Sequence, residues 1–123
     1  AGVPLLRMRI LAGMPKVVRK GDGVRTWSQN RLLVVGPEGA LDRFKASQWQ
    51  AVIQTRHAQL LETSVNRFAC QFETDTPPLA ALQNLSSRWP DLVFVFDYEI
   101  ETSRIKGLAK AKAGQMEQLQ LTY

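Results

Sequence analysis

Cysteine and histidine each occur once in the 123 residues, at Cys70 and His57. A lone cysteine excludes an intramolecular disulfide. One cysteine and one histidine fall short of the four ligands that a Cys/His zinc site takes, and a Cys₄ iron–sulfur cluster is excluded on the same ground. Long apolar runs are missing too. None approaches the roughly 20 residues of a membrane-spanning helix. "PLLRMRILAGM", residues 4–14, carries arginines inside its apolar part, where a signal peptide needs an unbroken stretch. Also absent are GxSxG, GxGxxG, HExxH and a P-loop. Gly21-Asp22-Gly23 is a turn signal without the strand–helix frame of a phosphate cradle. These absences lead to the expectation of a cytoplasmic protein with no membrane contact, metal site or cofactor.

What is present is the composition of one folded domain, 45% hydrophobic and 22% charged. The net charge of +5 is unevenly placed. Residues 1–25 hold Arg7, Arg9, Lys16, Arg19, Lys20 and Arg25 against a single acid, Asp22, which accounts for the whole excess. Residues 26–123 hold ten basic and ten acidic side chains and are neutral. The chain therefore divides into a basic N-terminal arm, 1–25, and one domain, 26–123. The simpler reading of the arm is a solvated tail, with Met8 and Met14 as alternative starts. The other is that its six cations bind nucleic-acid backbones without sequence preference.

Within the domain, "RLLVVG" predicts a strand closed by Gly36-Pro37. Ala40, Leu41 and Phe44 then recur at helical spacing. Residues 48–64 fit either a helix or a strand and turn. In "NRFACQFETD" Phe68, Cys70 and Phe72 share one strand face, which makes Cys70 a core thiol. Leu79, Leu82, Leu85 and Trp89 mark a second helix, with Pro78 in its first turn, Asp75 or Thr76 as cap and Pro90 as stop. Trp27, Trp49 and Trp89 read as core or rim packing. His57, alone in "TRHAQ", reads as a surface residue.

"DLVFVFDYEIE", residues 91–101, sets carboxylates at alternate positions, Asp97, Glu99 and Glu101. Same-face residues lie about 7 Å apart along a strand, a spacing that acid/base pairs use. The next segment argues otherwise. With Thr102-Ser103 as a turn, Glu101 faces Arg104 and Glu99 faces Lys106, and Lys110 and Lys112 share their side. A carboxylate serving as general acid needs burial or a like-charged neighbour to hold its proton. A cation across the strand supplies neither. The acids therefore read as an exposed, register-setting face. "EQLQLTY" alternates up to the last residue and predicts another strand, an edge suited to a homodimer.

Trp27, Asn30, Arg31 and Leu32, then Phe72, Thr74, Pro77 and Pro78, then Pro90, Asp91, Leu92, Tyr98 and Glu99 fall in the order and spacing of the YubB-type family of small plasmid and phage proteins, which the chain resembles over somewhat less than half its length. Residues 50–64 have no counterpart to that family's second strand. The resemblance implies a ferredoxin-like split βαβ sandwich and a mobile-element context, with no reaction attached. The expectation is thus an α+β domain, a mainly antiparallel sheet with two helices packed on one face. Its expected function is that of a non-enzymatic binding or interaction module of a mobile element, its partner an unidentified protein or nucleic acid. The alternatives are nucleic-acid binding through the arm and a small hydrolase using Asp97, Glu99 or His57.

Overall fold

A computed structural model describes residues 27–123. It is an α+β structure of six strands and three helices. In chain order these are β1 (Ser28–Val35), α1 (Glu38–Ala46), α2 (Trp49–Ile53), β2 (Arg56–Thr63), β3 (Arg67–Thr74), α3 (Leu79–Arg88), β4 (Val93–Ile100), β5 (Ile105–Lys112) and β6 (Gln115–Thr122). The strands form one sheet in the order β2-β3-β1-β4-β5-β6, and every neighbouring pair is antiparallel.

Strand periodicity gives the sheet two faces of different character. Leu32 and Val34 of β1, Phe68, Cys70 and Phe72 of β3, Phe94, Phe96, Tyr98 and Ile100 of β4, and Ile105, Ala109 and Ala111 of β5 share the core face and are buried. Leu41 and Phe44 of α1, Trp49 and Ile53 of α2, and Leu82 and Leu85 of α3 join them in one hydrophobic cluster. Phe44 is its hub. Its ring stacks on Trp49 at 5.5 Å and meets Trp89 and Phe94 edge-on at 5.7 and 5.4 Å. Each such side chain contributes on the order of 1.5–3 kcal/mol by leaving water.

The ambiguous stretch 48–64 resolves into both of its readings, the five-residue helix α2 followed by β2. That adds a third helix to the two expected. The predicted cap of α3 is not formed. The Asp75 carboxylate is drawn to Arg56 Nη2, from which it accepts at 2.6 Å. Pro78 occupies the cap position without a side-chain hydrogen bond.

Two short turns complete the sheet. Between β4 and β5, Glu101–Ser103 form a turn of 3₁₀ helix ending at Arg104 with φ 55°. The loop is twice the two residues expected, yet its even length keeps the parity, and Glu99 lies opposite Lys106 as the sequence implies. Between β5 and β6 the turn is Ala113-Gly114, with φ 51° and 84°. Two positive φ values match a primed hairpin turn, whose twist suits the strands. Helix α3 holds this turn. Gln83 Nε2 donates to the Gly114 carbonyl at 2.8 Å, and the Gly114 N–H donates to Ser86 Oγ at 2.9 Å.

Candidate functional site

The side chains that do not enter the core form the second, open face of the sheet. The strand registers arrange them in rows. One row runs Arg56, Glu73, Gln29, Glu99, Lys106 and Leu121 from β2 to β6. The next runs Gln59, Gln71, Arg31, Asp97, Leu108 and Leu119. The third runs Glu62, Ala69, Leu33, Val95, Lys110 and Glu117. An apolar row, the buried Ala69 with the half-buried Leu33 and Val95, thus lies beside a polar band that contains charges of both signs.

The polar band surrounds a hollow of about 530 Å³ lined by Gln29, Arg31, His57, Gln71, Asp97 and Glu99 among others. Three of its acidic and amide side chains have partners. Arg31 Nε lies 3.4 Å from Asp97 Oδ2, and Gln71 Nε2 donates to Gln59 Oε1 at 2.8 Å. Glu99 accepts a hydrogen bond from the Tyr123 hydroxyl. That bond raises the pKa of the exposed Tyr123 phenol, because the phenol must keep its proton to make it. Lys106 and Arg104 approach the Tyr123 ring at 5.4 and 5.5 Å, within cation–π range.

Asp97 and Glu99 therefore sit on the exposed face, as the alternation implied, whereas Glu101 lies beyond the strand in the 3₁₀ turn, and their partners differ in part. Asp97 is held by Arg31 of β1, a residue the sequence reading did not assign to the site. The expected pairing of Glu101 with Arg104 reduces to a backbone bond, Arg104 N–H to the Glu101 carbonyl at 3.1 Å. The Arg104 side chain turns instead to the Tyr123 carbonyl, 2.5 Å away. The signal for Arg31 was its odd position in β1, in step with Gln29. The apolar run that follows, Leu32 to Val35, fills both faces and hides that parity.

His57 is exposed, as expected, but its backbone is unusual. Its φ is 54°, and it sits where the β2–β3 register shifts between Arg56 and Gln59. Such bulges redirect side chains, and here His57 joins the lining of the hollow. Arg56 beside it stacks over the Trp27 ring at 3.4 Å while bonding Asp75. Cys70 is buried, 3% exposed, and burial pushes its thiol up to about 12, far from a reactive thiolate. Among the described residues, no three His, Cys, Asp or Glu side chains gather as metal ligands, and no helix is long and apolar enough to cross a membrane. The basic candidates Arg7, Arg9, Lys16, Arg19, Lys20 and Arg25 lie outside the described residues.

No family model matches the chain, and neither do the curated proteins or the solved structures. The open face therefore has to be read from its own chemistry. It offers an apolar row, Ala69-Leu33-Val95, beside a polar band in which Arg31 pairs with Asp97 and Gln71 with Gln59.

Proposed function

We propose that the chain is a non-enzymatic binding module that engages a protein partner through the open face of its sheet. The observation that carries this is the row Ala69-Leu33-Val95 with the polar band Gln71-Arg31-Asp97 beside it. An apolar centre with a polar rim is how protein interfaces are built. The fold reading that goes with it is a ferredoxin-like split βαβ unit, β1 to β4, extended by the β5–β6 hairpin. The strand order β2-β3-β1-β4, with helical segments between β1 and β2 and between β3 and β4, supports it. The sequence resemblance supports a YubB-type protein of a mobile element.

The test is co-expression with the products of adjacent genes, followed by size-exclusion chromatography of any complex. Leu33→Thr with Val95→Thr keeps good strand formers and removes apolar surface. This double variant is expected to lose the complex and keep its circular dichroism, while Arg88→Glu on α3 keeps both. A complex that survives the double variant and fails with Arg88→Glu rejects the open face as the surface.

Nucleic-acid binding through the arm is a second reading, supported by the placement of the entire charge excess in residues 1–25. The hydrolase reading has weaker support. Asp97, Glu99 and His57 line one hollow, but Asp97 is committed to Arg31 and Glu99 to Tyr123.

A further inference from the structure

The two edges of the sheet are built differently. At one edge, β2 departs from regular pairing twice, between Arg56 and Gln59 and between Leu60 and Glu62, and His57 stands at positive φ. Bulges of this kind twist an edge and keep another strand from adding to it. At the other edge, β6 pairs with β5 over all eight residues without a shift, has no proline and bears one charge, Glu117.

The register shows which groups β6 leaves open. A two-residue turn at Ala113-Gly114 makes Lys112–Gln115 a hydrogen-bonded pair, and such pairs alternate along an antiparallel ladder. Lys110–Glu117, Leu108–Leu119 and Lys106–Leu121 are then hydrogen-bonded too. The Tyr123 N–H, which donates to the Arg104 carbonyl at 2.9 Å, continues the same series. Met116, Gln118, Gln120 and Thr122 therefore turn their N–H and C=O groups outward. The adjoining open face carries Leu108, Leu119 and Leu121, which are 50%, 66% and 48% exposed.

We infer that β6 pairs antiparallel with β6 of a second copy of this chain, about a two-fold axis at Leu119, to give one continuous twelve-stranded sheet. A two-fold axis perpendicular to a sheet preserves its faces, so paired residues must share parity. Centring on Leu119 pairs Met116 with the partner's Thr122 and Gln118 with the partner's Gln120, and the outward backbone groups all find partners. On the open face this register sets Leu108, Leu119, the partner's Leu119 and the partner's Leu108 in one apolar row. It sets Glu117 between Lys110 of its own chain and, one strand beyond the partner's Leu121, the partner's Lys106. No like charges face each other across the two-fold, since Glu117 lies opposite the partner's Leu121. Because the bulged β2 edges lie at the outer ends, the assembly closes at two. The centre of the open face stays uncovered, so the dimer is independent of what docks there.

The experiment is sedimentation of the full chain together with three variants. The wild type is expected at twice 13.8 kDa. Gln118→Pro removes an outward N–H and leaves the β5 ladder intact. Leu119→Lys sets like charges opposite each other on the axis. Both are expected to sediment as monomers with an unchanged far-ultraviolet spectrum, and Leu119→Lys, at an exposed side chain, serves if the proline variant fails to fold. Leu119→Cys is expected to cross-link to itself on mild oxidation, since it forms a non-hydrogen-bonded pair with close Cβ atoms, while Leu60→Cys on the β2 edge is not. A monomeric wild type, a dimer that survives Leu119→Lys, an open-ended series of larger species, or a Leu119→Cys dimer that forms no disulfide on oxidation overturns the inference.

Discussion

Ala113 holds a backbone conformation that L-residues with a Cβ adopt at a cost. Its φ is 51°, the first central position of a primed turn where asparagine or glycine is preferred. Ala113→Asn is expected to stabilise the protein by about 0.5–1 kcal/mol, measured by urea denaturation. An unchanged or lower midpoint would show that the turn is strained elsewhere. Cys70 makes a prediction of a different kind. Its folded-state pKa, about 12, lies above the ordinary 9.0, so the fold favours the protonated thiol. The stability it contributes is complete below pH 9 and is lost as the pH rises from there toward 12. Burial raises the Tyr98 phenol in the same direction. Stability should therefore fall across alkaline pH, and Cys70→Ala should make the fall shallower. Equal slopes for the two proteins would remove the thiol from the account.

The pairing of β4 with β5 shows how a strand pair depends on what is missing from it. Gly107 lies opposite Tyr98, and a Cβ built at Gly107 would fall within the Tyr98 ring. The ring covers the glycine, an arrangement known to stabilise sheets. Gly107→Ala is expected to destabilise by roughly 2 kcal/mol or more through overpacking, and by much less when Tyr98 is also changed to Ala. Additive losses in that double-mutant cycle would mean that the ring and the glycine do not interact. Glu99→Gln in the same strand is expected to lower stability by well under about 1 kcal/mol, as for an exposed polar pair. A large loss by thermal melting would make its bond to Tyr123 a principal support of the fold. These strands were legible in the sequence because one face of each is buried and alternation records burial. Phe94, Phe96 and Tyr98 against Val95, Asp97 and Glu99 could be read directly, and so could the parity that brings Lys106 opposite Glu99. β2 could not be read, because after Arg56 all of its residues are exposed and no alternation is imposed on them. The candidate site was half legible for the same reason. Asp97, Glu99 and His57 stand out by type, whereas Arg31 and Gln71 become site residues only when β3, β1 and β4 lie side by side.

For the whole molecule, the division of charge makes the final prediction. If the protein binds nucleic acid, the affinity resides in residues 1–25, since residues 26–123 carry ten charges of each sign. The open face itself sets Glu73, Asp97 and Glu99 in rows with Arg56, Arg31 and Lys106 and carries no excess of positive charge. Removing residues 1–25 should abolish binding in a mobility-shift assay and flatten its dependence on salt. A shortened protein that binds with the same salt slope would exclude the arm.

The order of strands also sets the order in which the protein can assemble. β4, β5 and β6 follow one another through short turns, and each closes on its neighbour at little entropic cost. β1 is different. It precedes every other described element, yet it lies at the middle of the sheet, and Gln29 must find Glu99, 70 positions further along. During synthesis this central strand is made before both of its partners and keeps two hydrogen-bonding edges open until β3 and then β4 have emerged. The nascent chain is most exposed to misassociation in that interval, when a chaperone that shields "RLLVV" would matter most and the finished sheet would show no trace of it.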